Sequence, residues 1–193
     1  YTLTMMDSAN DAWTDNAWIV IKDVNDNPVL KYMMTEKSTE TVNFALYSPI
    51  SKNASWKFSN NFYGGWNQYS FAESGWTDVT LGSVTQQASG TQYFRKEVRA
   101  LTNMAAYDLR VFYASGVVAY VNGVEVFRDN MPEGVPTAET LATGSFSTAD
   151  YHGIIRSGMD LLKPNAVIAI ELHFQNTESR PVTFKAALSQ LSS

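Results

Sequence analysis

Hydrophobic and polar residues alternate along most of this chain, a pattern that predicts β-strands with one buried face. The clearest case is residues 107–131, where two runs rich in β-branched residues flank Asn122-Gly123. Both residue types tolerate positive φ, which a type I′ turn requires at its two central positions, so the pair predicts a β-hairpin. Residues 92–99 alternate in the same way, and residues 166–174 read as a buried strand.

The first fifty residues predict four short strands, at residues 1–6, 17–22, 29–34 and 41–47. Their short polar links are typical of an antiparallel meander. We expect this β-meander to occupy residues 1–50, as a separate unit or packed onto a main domain of residues 51–193. No long amphipathic helical pattern occurs, and residues 153–162 indicate one short helical turn. The fold class is therefore predicted to be all-β, an antiparallel two-sheet sandwich preceded by the meander.

Composition and charge narrow the possible functions. The formal net charge of −5 is spread along the chain, which argues against nucleic acid because phosphate binding needs clustered Lys and Arg. No apolar run is long enough for a transmembrane helix. Cysteine is absent, which excludes disulfides and thiolate metal sites. An acidic chain with 13% aromatic residues is typical of extracellular β modules, so we expect an extracellular or cell-surface location within a larger multidomain protein.

Two stretches near the start of the chain match a known pattern. Residues 3–8 (Leu-Thr-Met-Met-Asp-Ser) and 11–13 (Asp-Ala-Trp) resemble the small GDGW-type repeats of large extracellular proteins. Asn10 and Ala12 replace the two glycines of that repeat.

The later motifs occur in an order that resembles galactose-binding-like jelly-roll modules over residues 52–191. They include Trp56-x-Phe58, Glu73-Ser-Gly-Trp76, Tyr120-Val-Asn-Gly123 and the stretch from Asn165 to His173. This resemblance implies a jelly-roll fold that, in many members, binds carbohydrate without catalysis. Some members of the family carry a structural calcium.

One segment without strand alternation combines the chemistry that sugar recognition uses. Residues 60–69 read Asn-Asn-Phe-Tyr-Gly-Gly-Trp-Asn-Gln-Tyr. Aromatic faces stack on the C–H side of a pyranose while amides bind its hydroxyls. Tyr63, Trp66, Asn67 and Tyr69 are therefore predicted ligand-binding residues. In the alternative reading, Trp56, Trp66 and Trp76 pack beneath the loop as part of the core.

Arg128 and Asn130 complete the predicted ligand-binding set, because charged and amide groups suit sugar hydroxyls. The competing interpretation is structural and also includes Arg95. The arginines then pair with carboxylates such as Glu125 or Glu171, and the asparagine closes a turn.

Asp7, Asp11 and Asp15 supply closely spaced hard oxygens, which calcium prefers, and are the candidate metal ligands. A solvated polar loop is the alternative. Beyond structural calcium no cofactor is expected. No nucleophile elbow is present and His152 has no obvious partner, while His173 reads as a partly exposed strand residue. We therefore predict no enzymatic activity.

Two functions follow from these patterns. The first is a non-catalytic recognition module whose partners are glycans, bound through the aromatic and amide loop. The second is a structural or adhesion domain that contacts a surface protein and has no small-molecule ligand.

Overall fold

The computed structural model describes residues 2–6, 19–22, 28–32, 39–43, 45–50, 54–80, 86–88, 90–99, 106–146, 150–157, 165–176, 180–182 and 185–192. In these ranges the regular secondary structure is entirely β-strand. In chain order the strands are β1 (Thr2–Met6), β2 (Ile19–Lys22), β3 (Pro28–Tyr32), β4 (Thr39–Asn43), β5 (Ala45–Ile50), β6 (Ser55–Ser59), β7 (Thr77–Thr80), β8 (Gln86–Ala88), β9 (Gln92–Val98), β10 (Ala106–Tyr113), β11 (Gly116–Val121), β12 (Val124–Asp129), β13 (Asp150–Ser157), β14 (Ala166–His173), β15 (Arg180–Val182) and β16 (Lys185–Ser192).

Two antiparallel sheets form the body of the protein. The larger sheet has six strands in the order β12-β11-β14-β9-β6-β7, and the smaller sheet has four in the order β13-β10-β16-β5. Three two-stranded ladders complete the structure: β1 with β4, β2 with β3, and β8 with β15. The predicted all-β antiparallel sandwich is confirmed.

The core lies between the two sheets and is apolar. Phe94, Ile168 and Ile170 of the larger sheet pack in one cluster with Leu109 and Leu188 of the smaller sheet, and all five are fully or almost fully buried. Strand alternation produces this arrangement, because every second residue of a strand points to the same side of its sheet. We call this side of the larger sheet its inner face.

The Asn122-Gly123 turn joins β11 to β12 as the sequence predicts. Both residues have positive φ, 50° and 83°, so the predicted hairpin turn is confirmed. The Asn122 side chain also accepts a hydrogen bond from the Val167 backbone N–H at 2.9 Å, which ties the turn to β14. The turn therefore sets the pairing of Val121 with Val124 and secures this end of the larger sheet, and the register shifts further along, between Ala119 and Tyr120.

Residues 1–50 differ in part from the predicted pattern. One strand was expected over residues 41–47, whereas the structure has β4 and β5 there. The end of β5 contains Pro49, and proline is accepted because β5 is an edge strand of the smaller sheet. Since β5 pairs with β16, residues 45–50 contribute to the sandwich itself. The division of the chain at residue 50 stays a prediction.

The short helical turn predicted over residues 153–162 is wrong for the part that the structure describes. Residues 150–157 form β13, which pairs with β10 along the edge of the smaller sheet. Ile154 and Ile155 are β-branched and favour a strand, and pairing with β10 overrides a weak helical pattern. Among the described residues, no helix could cross a membrane.

Candidate functional site

The central strands of the larger sheet are buried on most of their outer face as well, the face turned away from the smaller sheet, whereas the edge strand β7 is largely exposed. All eight residues of β14 are buried, although half of them point away from the core. Two loops provide this cover. The first, which we call the aromatic loop, comprises residues 60–76, and the second comprises residues 131–146. The loops rest on these outward side chains of the sheet: Tyr93, Arg95, Val118, Tyr120, Ala169, Glu171 and His173.

Arg95 anchors the aromatic loop to the sheet. Its side chain is completely buried, and its Nε donates to Glu73 Oε1 at 3.0 Å. Its Nη1 donates to the backbone carbonyl of Trp66 and, at 2.9 Å, to that of Gln68. The guanidinium carbon also lies 5.1 Å from the centre of the Phe71 ring. One cation therefore holds the loop at four points, and Glu73 neutralises its charge.

The aromatic loop is built in two layers of rings. The Trp66 ring is 4.9 Å from that of Tyr93, 5.8 Å from that of Tyr120 and 6.4 Å from that of Trp76. Trp66 and Trp76 form the layer of the loop against the sheet, and Tyr93 and Tyr120 are the rings of the sheet on which they pack. Tyr63 lies over this layer, with its ring 6.3 Å from that of Trp76. Ring separations of this kind add attraction beyond simple burial.

Local turns fix the path of the aromatic loop. Backbone hydrogen bonds join Trp66 N to Tyr63 O, Gln68 N to Gly65 O and Phe71 N to Gln68 O, at 2.9–3.2 Å. Gly65 has a φ of 73°, which a glycine adopts without strain. The loop is therefore ordered by its own backbone and by Arg95.

Three rings remain exposed on this ordered loop. Phe62 is 53% exposed, Tyr63 37% and Tyr69 41%. The amide side chains of Asn60, Asn61 and Gln68 are exposed around them, and Asn67 is half-buried. The surface of the loop thus offers apolar faces and neutral hydrogen-bonding groups side by side.

The predicted residues of this loop divide into surface and core. Trp66 is only 4% exposed, so its ring has no open face for a sugar. It is a packing residue, and its predicted contact with ligand is corrected on that ground. Trp76 is also buried beneath the loop, whereas Trp56 belongs to the core between the sheets. Tyr63 and Tyr69 are exposed and Asn67 partly so, and their ligand role stays a prediction.

Arg128 is engaged with its own surroundings. Its Nε and Nη2 each donate to one carboxylate oxygen of Glu125 at 2.8 Å. It also donates to the backbone carbonyls of Pro132 and Gly134. The Glu125 carboxylate raises the pKa of Arg128 above its ordinary value. These bonds organise the start of the 131–146 loop, as the structural reading of the sequence proposed.

Asn130 is a turn residue in the same region. Its φ is 51°, and asparagine is among the few side chains that adopt this conformation readily. Its Nδ2 donates to the carbonyl of Ser115 at 3.3 Å, and its own carbonyl accepts from Thr143 N at 2.9 Å. The ligand role predicted for Arg128 and Asn130 stays a prediction that these contacts do not support.

A buried polar cluster beneath the 131–146 loop was missed by the sequence reasoning. Contrary to expectation His173 is almost fully buried, with Nδ1 2.7 Å from the carbonyl of Thr140 and 3.0 Å from Thr91 Oγ1. A carbonyl only accepts, and the Thr91 hydroxyl already donates to the carbonyl of Ala138 at 2.8 Å. Nδ1 therefore carries a hydrogen and donates to the loop.

Glu171 lies on the other side of the imidazole. Its Oε2 is 3.4 Å from His173 Nε2, and its Oε1 accepts from the Tyr120 hydroxyl at 2.6 Å. Burial and the Glu171 carboxylate raise the pKa of Tyr120 well above its ordinary value, and burial raises the pKa of Tyr93 to about 12. The sequence did contain a sign of this buried cluster, a Glu-x-His pair at the end of an apolar strand. Polar residues in such a strand indicate that its second face is also covered and that they have hydrogen-bond partners there.

The predicted calcium ligands Asp7, Asp11 and Asp15 lie outside the described residues, as do most residues of the GDGW-type match. Among the residues that are described, no group of three or more His, Asp or Glu side chains could hold a metal ion.

Comparison with known proteins defines a class of fold. No protein-family model matches the sequence, and no curated protein sequence matches it. Solved structures share the β-sandwich. The structure of a calcium-binding mutant of Bacteroides uniformis beta-glucuronidase 2 is 14% identical, with a TM-score of 0.53. The crystal structure of Bacteroides uniformis beta-glucuronidase is 17% identical, with a TM-score of 0.52.

Each similarity covers 77% of this chain but only 18% of the other chain. The fold is therefore one that also occurs as a minor part of longer chains. The resemblance to sandwich modules drawn from sequence agrees with this result, whereas nothing in these comparisons supports the GDGW-type repeat.

Proposed function

We propose that this chain is a non-catalytic carbohydrate-recognition module that binds glycans through the exposed surface of the aromatic loop. The observation that carries the proposal is a rigid loop with exposed rings. Arg95 and the buried tryptophans hold the loop, while Phe62, Tyr63 and Tyr69 face solvent. A protein does not gain stability by leaving such rings in water, so a binding role accounts for them better than packing does.

The form of the loop suits sugars in particular. An aromatic face packs against the C–H side of a pyranose, and the surrounding amides can both donate to and accept from its hydroxyls. Because the loop is already ordered, little conformational entropy is lost on binding. The exposed surface of one aromatic loop is shallow and buries little of a ligand. We therefore expect a Kd of about 10 μM to 1 mM for a single copy of the module.

The setting of the module is part of the same proposal. The similar domain makes up 18% of each beta-glucuronidase chain, which supports a role as one module within a larger protein. Placement outside the cell is proposed with it, because polysaccharides are abundant there.

Affinity electrophoresis through gels that contain soluble polysaccharides tests the proposal. We expect at least one polysaccharide to retard the protein, and Tyr63→Ala and Tyr69→Ala to weaken retardation at least about tenfold, equal to about 1.4 kcal/mol. The matched control is Val135→Ala, at a site that is 93% exposed but lies outside the aromatic loop. No retardation by any polysaccharide, or equal retardation of all variants, would contradict the proposal.

A specific observation also favours the alternative, a protein-contact domain. Val135, Leu141 and Phe146 are exposed apolar side chains on the 131–146 loop. If that loop binds protein, Val135→Asp will reduce self-association or partner binding measured by sedimentation velocity, while glycan retardation stays unchanged. An unchanged sedimentation profile would remove support from this alternative.

A further inference from the structure

The aromatic loop is free of formal charge over most of its length. From residue 59 to residue 72 the sequence contains no Asp, Glu, Lys, Arg or His. All of its exposed polar side chains are amides and hydroxyls. This run is unusual for an exposed segment in a chain of which 17% is charged.

The charges that border the loop are paired with one another. Arg95 binds Glu73 with its Nε 3.0 Å from the carboxylate, and the arginine has no exposed surface. Across the neighbouring strands Lys57 Nζ lies 2.9 Å from Asp78 Oδ2. Arg95 and Lys57 are therefore each matched by a carboxylate.

We propose that the aromatic loop selects uncharged glycans and discriminates against polymers of uronic acids or sulfated sugars. The inference rests on the proposed function and names its ligand class. An acidic sugar placed on this platform would lose water from its carboxylate without gaining a cation, which is unfavourable. A neutral sugar offers only hydroxyls and C–H faces, and the loop supplies partners for both.

The proposed selectivity comes from the absence of a cation on the surface of the loop. A site that recognises a carboxylate or a sulfate uses a positioned Arg or Lys, often in bidentate geometry. Here Arg95 is buried beneath the loop, and its Nε and Nη1 donate hydrogen bonds to the protein. The positive charge of Arg95 holds the aromatic loop in place. From residue 59 to residue 72 the loop itself carries no cation.

Titration calorimetry against two groups of polymers tests the inference. The neutral probes are galactomannan, xyloglucan and laminarin, and the acidic probes are polygalacturonate, hyaluronate and alginate. We expect binding to at least one neutral probe, at least about tenfold tighter than to any acidic probe. Because no ion pair forms, raising the salt concentration from 50 to 500 mM should change the neutral affinity less than about twofold.

Adding a charge gives a sharper version of the test. Ser70 is exposed within the uncharged run, and Ser70→Arg introduces a cation there while Ser70→Gln adds comparable bulk without charge. We expect Ser70→Arg to gain affinity for the acidic probes about fivefold or more at 50 mM salt and to lose the gain at 500 mM. Ser70→Gln should show no such gain.

The outcomes separate the inference from the proposed function. Binding of acidic probes alone, or acidic binding by the parent protein that disappears at high salt, would overturn the inference and leave carbohydrate recognition standing. Absence of binding to both groups would overturn both. Preference for a neutral probe, with a salt-sensitive acidic gain only in Ser70→Arg, would support the inference.

Discussion

The inner face of the larger sheet and the central part of its outer face are both buried, but by different means. The inner face packs apolar side chains against the smaller sheet, as at Phe94, Ile168 and Ile170. The outer face carries Arg95 and Glu171, and it is covered by loops instead of a second sheet. The inner face needs only residues of suitable size and polarity. The outer face depends on individual hydrogen bonds with defined geometry.

This difference indicates where the specific features of the molecule lie. Burying an arginine or a glutamate is unfavourable even when most of its hydrogen bonds are made, as they are at Nε and Nη1 of Arg95, so apolar residues would cover the sheet more simply. On the outer face Arg95 and His173 instead fix the path of two surface loops. We interpret the inner face as the basis of the fold and the outer face as the support of the proposed binding surface.

The largest effect is expected from damage to the inner face. Phe94→Ala removes a fully buried ring that packs 5.2 Å from Phe58. We expect a loss of about 3–5 kcal/mol in the free energy of unfolding, measured in urea, because a cavity remains. Val135→Ala at an exposed site should stay within about 0.5 kcal/mol of the parent. A loss near 1 kcal/mol for Phe94→Ala would mean that the inner face is not tightly packed.

Removing the anchor of the outer face should have the next largest effect. Arg95→Met leaves Glu73 and two backbone carbonyls without their partner, and we expect a loss of about 3 kcal/mol. Trp66 and Trp76 lie beside the anchor, so the tryptophan emission of the folded variant should shift to longer wavelength. Glu73→Gln keeps a hydrogen-bond acceptor and should cost less. An unshifted spectrum and an unchanged stability in Arg95→Met would show that the loop does not depend on the arginine.

The outer face should also lose stability at alkaline pH. Burial raises the pKa of Tyr93 from 10.0 to about 12, so between these values the unfolded chain has released a proton that the folded protein retains. Stability from this group is complete below pH 10 and falls as pH rises, by up to about 1.4 kcal/mol per pH unit. Urea unfolding at several pH values measures the slope. Tyr93→Phe should have a shallower slope than the parent, and an identical slope would contradict this assignment.

A smaller effect is expected at the hairpin turn. Gly123 has a φ of 83°, and a Cβ there would meet the side-chain amide of Gln68 in the aromatic loop at 2.0 Å. The flexible Gln68 can move, so the main cost of Gly123→Ala is backbone strain of about 1 kcal/mol. Thermal unfolding measures this loss, and Gly134→Ala, also at positive φ but with open space around it, is the matched control. Because Gln68 can move aside, the two variants should lose similar stability, and a clearly greater loss for Gly123→Ala would contradict this by showing that Gln68 is held in place.

The residues that pack on the inner face could be predicted from the sequence, whereas the contacts on the outer face largely could not. The alternation of apolar and polar residues predicts that Phe94 and Ile170 are buried, and Asn122-Gly123 predicts a turn. Both predictions succeed because they depend only on neighbouring residues. Arg95 contacts Glu73 and the Trp66 carbonyl only in the folded protein, because these residues are 22 and 29 positions away in the sequence. No spacing of residues in the sequence predicts that arrangement. The same holds for His173, whose partner Thr140 lies 33 positions away. Aromatic composition pointed to a loop that does carry exposed rings, but it could not tell the buried Trp66 from the exposed Tyr63.

We propose that glycans bind to the exposed surface of the aromatic loop. Hydrogen–deuterium exchange followed by mass spectrometry, with and without the polysaccharide that retards the protein most strongly, tests it directly. The account predicts slower exchange in peptides that cover residues 60–71, no change over residues 131–146, and loss of the effect in Tyr63→Ala. Protection confined to residues 131–146, or to any surface other than the aromatic loop, would contradict it.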